Sequence, residues 1–167
     1  MSKIAFHIAG ISVASALACG LAGPANAQLL THKDISLAMA TTIARATIDA
    51  CKAQGYNVSV HVLGREGQLV LAVRNENAGL ATFENSMKKA YTARTYRKSS
   101  GDFADSIKDN YTAGALHLSN IVPLRGALPI VVGEDVIGAI GVSGAPGGEK
   151  DEVCAKAGID KVADQLK

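Results

Sequence analysis

The chain has 167 residues and a formal net charge of +2, with aromatics at 4% and no tryptophan. A charge balance this close to neutral gives no reason to expect nucleic acid or an anionic membrane as partner. So few aromatics also argue against a stacking platform for single-stranded nucleic acid.

The N-terminus reads as a leader. Lys3 is its one charge, an apolar run follows from Ile4 to Ala22, and Ala25-Asn26-Ala27 supplies an A-x-A cleavage pattern. Residues 1–27 are therefore expected to be a secretory signal peptide, with the mature chain running from Gln28 to Lys167 in the periplasm or outside the cell. The glycines and small-residue ending speak against a retained anchor, and Ala16 is a poor residue three places before a lipidated Cys19. The mature chain is long enough for one domain with a real core. It holds no second apolar run of about 18 residues, so no membrane span is expected after cleavage.

A helix is expected from about His32 to Gln54. Thr31 to Asp34 offer capping groups, Ile35, Met39, Ile43 and Ala46 recur at helical spacing, and Gly55 ends it. In NVSVHVLG, Val58, Val60 and Val62 alternate with Ser59 and His61, which predicts a strand. REG turns the chain into QLVLAVRN, completing a hairpin whose near-continuous apolar letters suggest cover on both faces. A helix over about Ala81–Tyr96 would carry Phe83, Met87, Ala90 and Tyr91 inward, with Lys88, Lys89, Arg94 and Arg97 largely outward. SSGDFADSIKDNY reads as a loop and short capped helix, and Thr112 to Gly126 is irregular. LPIVVG and DVIGAIGVS are two strands joined around Gly133-Glu134-Asp135, and a last helix spans about Lys150–Leu166. Turns this short demand an antiparallel sheet, and helices on both faces make a three-layer α+β domain.

The glycine-rich run GAIGVSGAPGGEK invites comparison with phosphate-binding loops. It lacks the Gly-Lys pair of a P-loop, and Gly141-Val142-Ser143-Gly144 does not supply a dinucleotide fingerprint. Glu149, Asp151 and Glu152 occupy the helix start where a phosphate would sit. The glycines are better explained by close packing and positive φ. Ser143 is not in a nucleophile elbow, and no H-x-x-x-H or C-x-x-C occurs for a metal. Cys51 and Cys154 fall in helical segments. Export permits a disulfide, within or between chains, but buried free thiols are the simpler expectation.

The run GAIGVSGAPGGEKDEVCAKAGI closely resembles the closing motif of the GlcG/HbpS family of haem-binding-protein-like proteins. VSVHVLGREGQLVLAVRNENAG is similar to that family's first hairpin, MKKAYTAR to its central helix, and LRGALPIVVGEDVIGAIGVSG to its strand pair. Gly64-Arg65-Glu66-Gly67 stands where the family usually has an Asp and paired glycines. The resemblance implies a profilin-like α/β/α fold with a five-stranded antiparallel sheet, a homo-oligomer, and non-covalent haem as cofactor for storage, sensing or uptake. An enzyme or accessory protein acting on small organic acids is the alternative within the same fold.

For haem iron the candidate axial ligands are His32, at the exposed start of the first helix, and His117, in the irregular stretch Leu116-His117-Leu118. His61 alternates with valines and reads as a packed histidine under a helix. Arg74 is the candidate propionate partner, set against a plain surface ion pair with Glu76. Tyr111 is a residual iron ligand. Covalent attachment is excluded by the lack of C-x-x-C-H.

Overall fold

The computed structural model describes residues 28–108 and 111–167; the expected signal peptide lies outside the described residues, as does the Tyr111 side chain. The domain itself runs from His32 to Lys167. Its elements in order are α1 (Leu37–Ala53), β1 (Ser59–Leu63), β2 (Leu69–Arg74), α2 (Thr82–Tyr96), α3 (Ser100–Ser106), a 3-10 turn (Tyr111–His117), β3 (Ala127–Val132), β4 (Asp135–Ser143), α4 (Gly148–Asp160) and, where the last helix was expected to continue to Leu166, a separate 3-10 turn (Ala163–Gln165).

The sheet is antiparallel, in the order β2-β1-β4-β3. It has four strands where five were expected. Between α3 and β3 the described chain is a 3-10 turn followed by a loop, so that irregular stretch supplies no further strand. The alternation in β1 sorts the layers. Val60 and Val62 enter a large apolar core with Ile43, Ile130, Ile140 and Val142, filled from the other side by α1 and α4. Ser59 and His61 point the opposite way, to Thr82 and Ser86 of α2. Both faces are thus covered at β1, and all five of its residues are buried. The edge strand β2 is different: it is half-buried at best, because α2 packs on β1, β4 and β3. The expected cover on both faces of the sheet is met at β1 and falls away at the edge strand β2.

Helix α1 begins five residues later than its sequence suggested. Ser36 caps it, its Oγ accepting from the Met39 N–H at 3.2 Å. Asp34 is taken by tertiary bonds instead. Its carboxylate accepts from the backbone N–H groups of Ile35 and Arg65 at 2.7 and 2.8 Å and from Gln68 Nε2 at 2.9 Å.

Helix α2 lies close on the sheet because β4 offers Gly141 beneath it. A Cβ at Gly141 would overlap the Ser86 carbonyl and the Ala90 backbone nitrogen. The buried residues of α2 are accordingly Ser86, Lys89, Ala90, Thr92 and Ala93. Phe83, expected inward, is 42% exposed, and Lys89, expected outward, is 4% exposed.

The cysteines correct another expectation. Cys51 of α1 and Cys154 of α4 form a disulfide, with Cα atoms 5.4 Å apart, across the interface where Gly158 lets α4 approach α1. Among the described residues no helix is long and apolar enough to cross a membrane.

Candidate functional site

The candidate residues occupy three places. His32 is exposed in the loop before α1. That loop is clamped to the β1–β2 turn by Asp34 and by Arg65, whose Nε donates to the Lys33 carbonyl at 2.8 Å. His32 therefore sits at the turn end of the hairpin. Arg74 closes the other end, where β2 pairs with the start of β1 through Ser59. Six residues of strand separate the two ends, about 20 Å, so one chain does not bring His32 and Arg74 together. His117 ends the 3-10 turn and is exposed. That turn lies on the α2 side, since its Ala115 packs against Phe103, Ile107 and Ile121 together with Tyr91.

Arg74 donates from Nη2 to the Ala78 carbonyl at 2.6 Å. The surface ion pair with Glu76 does not form, and among the described residues no carboxylate lies within ion-pair distance of Arg74. It lines a cleft of about 420 Å³ between α1 and β2, with Ala44, Ile48, Leu71 and Val73 as apolar floor and Arg45, Lys52, Asp49 and Glu76 as charged lining. No histidine lines this cleft.

His61 is held as a packed residue. Its Nδ1 lies 2.8 Å from Ser86 Oγ, and Phe83 packs edge-on at 4.4 Å. Ser86 gives its hydroxyl proton to the Phe83 carbonyl at 2.9 Å, so it accepts from Nδ1–H and fixes the neutral tautomer. Burial pushes the His61 pKa down to about 4.

Sequence reasoning missed two arrangements. One is a buried ion pair: Lys89 Nζ donates to Asp151 Oδ2 at 2.9 Å and to the Val142 carbonyl at 3.0 Å, while Asp151 Oδ1 accepts from the Ala145 N–H at 3.0 Å. It ties α2, β4 and the start of α4 together. Burial raises the Asp151 pKa, against the opposing pull of Lys89 and of the Ala145 N–H. The signal was the small-residue stripe Ser86, Ala90, Ala93, which marks the inward face and carries Lys89 with it. The other is a group of arginines at the turn end. Arg65 pairs with Asp135, and the Asp135 carboxyl is held below its ordinary range first by that bond, against burial, and then by the positive charge of Arg65, Arg94 and Arg97. Arg94 and Arg97 share the end of α2, and only the fold of the two hairpins brings Arg65 and Asp135 to them. Among the described residues no cluster of histidine, cysteine and carboxylate groups suits a metal ion.

The family model described as "Haem degrading protein HbpS-like" matches residues 35–160. The chain belongs to the HbpS-like family. An uncharacterized 15.0 kDa protein from the dhaT–dhaS intergenic region of Citrobacter freundii is 34% identical over 131 residues, covering 75% of this chain and 90% of that protein. Among solved structures, a double mutant of Streptomyces reticuli HbpS superposes with a TM-score of 0.75 at 27% identity, covering 92% of this chain and 97% of that one. The PduOC:heme complex has a TM-score of 0.70 at 22% identity over 76% of this chain and 94% of that one, a likeness of fold. The matched region of this HbpS-like chain takes in the sheet, α2, the Lys89–Asp151 pair and the closing helix. It begins at Ile35, after His32.

Proposed function

We propose that this HbpS-like protein is exported and binds haem non-covalently, for storage, sensing or uptake, in the periplasm or outside the cell. The observation that carries the reading is the family match over residues 35–160. The haem carried by the similar PduOC fold supports it. So does the chemistry of the histidines. His32 and His117 are exposed, and among the described residues neither ring makes a hydrogen bond, whereas Ser86 and Phe83 occupy His61. A neutral imidazole is a good axial ligand for haem iron. Because Cys51 and Cys154 are bonded to each other, neither is a thiol open to covalent haem attachment.

In this reading His32 or His117 holds the iron and Arg74 meets a propionate. A profilin-like arrangement of the sheet and helices, assembled as a homo-oligomer, completes it: residues that one chain holds apart can meet across a subunit contact. Light scattering is expected to return a multiple of the mature chain mass. The second reading, a small-organic-acid enzyme or accessory binding protein, draws on the cleft beside Arg74, which combines an apolar floor with a rim of mixed charge in which, among the described residues, Arg74 and Lys52 lack a carboxylate partner.

Hemin titration decides between them. The wild-type protein is expected to show a saturable Soret change. His32→Ala or His117→Ala, whichever removes the ligand, should shift the Soret maximum and weaken binding, and the other should leave the spectrum alone. Unchanged binding by the double variant would sink the ligand assignment. A flat wild-type titration would sink the haem reading and leave the organic-acid reading standing.

A further inference from the structure

The turn end of the sheet carries a second, smaller pocket of about 200 Å³. It is lined by Arg65, Glu66, Gly67, Tyr91, Arg94 and Thr95. Two features set it apart from an ordinary surface dimple. The first is Arg94. Its Nε is buried and lacks a hydrogen-bond partner, the one such side-chain nitrogen or oxygen among the described residues. Arg94 also forms no ion pair there, although eight other cationic side chains among the described residues do, Arg65 with Asp135 included. A buried guanidinium N–H left unpaired is costly, and the planar fork of Arg matches a carboxylate through two parallel N–H bonds. The second feature is position. Arg65, on the pocket wall, is bonded through its Nε to the Lys33 carbonyl, next to His32, and through its backbone N–H to Asp34. The pocket and His32 thus share the turn end of the sheet, while Arg74 lies at the opposite end of the hairpin.

We propose that this pocket is a carboxylate-binding site, with Arg94 as the cation that receives the ligand and Arg65 as its fixed neighbour. Its size suits a carboxylate and a short stem, not a macrocycle. Two sources share that chemistry: a propionate of haem whose iron is held by His32, or a free small organic acid. For the first source the inference rests on the haem reading and moves the propionate contact from Arg74 to Arg94. For the second it stands without haem. Glu66 lines the same pocket, so its carboxylate competes for Arg94 with any ligand.

The experiment titrates the purified full protein with three probes: hemin, hemin dimethyl ester in which both carboxylates are masked, and millimolar propionate or succinate followed by NMR shifts. The proteins are wild type, Arg94→Gln, Arg94→Lys, Arg74→Gln and Glu66→Gln. Arg94→Gln is expected to weaken hemin binding at least tenfold with the Soret maximum in place, while the dimethyl ester binds it and the wild type alike. Arg74→Gln should change hemin affinity less than twofold, and Glu66→Gln should tighten it. Arg94→Lys keeps the charge but not the fork and should fall between; it carries the test if Arg94→Gln does not fold. Should wild type give no Soret change, the haem reading fails by itself, and Arg94-dependent shifts with propionate or succinate then support the pocket. If neither hemin nor the small acids respond to Arg94, the pocket inference is overturned.

Discussion

The two faces of the sheet solve the packing problem by different means. The face under α1 and α4 is built from Ile43, Val60, Val62, Ile130, Ile140 and Val142, large side chains that interdigitate, and the buried hydroxyl of Thr47 is satisfied within α1 by the Ile43 carbonyl. It is closed covalently by Cys51–Cys154, which joins residues 103 apart in sequence. The face under α2 is small and polar. Its contacts are Ala93, Ala127 and Ala139, the glycine backbone at Gly141, the Ser86–His61 bond and the Lys89–Asp151 pair. Burial of apolar area dominates the first face. The second depends on close approach and on satisfied polar bonds, whose loss is costlier than their presence is worth. A helix held this way needs each partner, and this is the side that carries His61, His117 and Arg94.

Breaking the polar face should give the largest effect. Lys89→Met leaves Asp151 buried without its cation and is expected to cost about 3–5 kcal/mol, read from the urea midpoint; Lys89→Met with Asp151→Leu should recover most of that. A single variant as stable as wild type would show that the pair is not what fixes α2. On the apolar face, replacing both cysteines by alanine removes the cross-link and should cost about 2–4 kcal/mol by chemical denaturation. A smaller loss than that of Lys89→Met supports the contrast between the faces, and the reverse order overturns it.

The pH dependence sharpens the same comparison. His61 titrates near 4 in the folded state against 6.5 when unfolded, because burial opposes its charged form. The unfolded chain therefore takes up the proton first as pH falls. This contribution to stability is fully present above about 6.5, is lost between 6.5 and 4, and levels off below that, a change of about 3 kcal/mol. His61→Gln should flatten that part of the stability curve, whatever its own cost. The smallest effect is expected on the solvent side of α1: Arg45 and Asp49 pair at 3.4 Å with both side chains exposed, and Arg45→Ala should change stability by no more than about 0.5 kcal/mol.

Local pattern was enough to place β1, β2, β3, β4 and the three longer helices, because alternation and helical spacing report which side of each element is apolar. The same pattern, with turns too short for crossovers, required an antiparallel sheet under helices, and the glycine run was read correctly as packing: Gly144 has φ +139° and its Cβ would overlap Asn57. The closing motif also pointed to the family that residues 35–160 match. What sequence left undecided depends on partners far along the chain. Asp34 reads as a helix cap until Arg65 and Gln68 take its carboxylate, 31 and 34 residues away. Lys89 reads as a solvated charge until Asp151 meets it 62 residues on. Cys51 and Cys154 read as buried free thiols until α1 and α4 lie side by side and join them. The strand count and the site followed the same rule. His32 and Arg74 look compatible as letters, and only the register of the hairpin sets them at opposite ends, with Arg94 brought to the end that His32 occupies. Periodicity encodes what each element does alone; which charges meet is decided when the layers close.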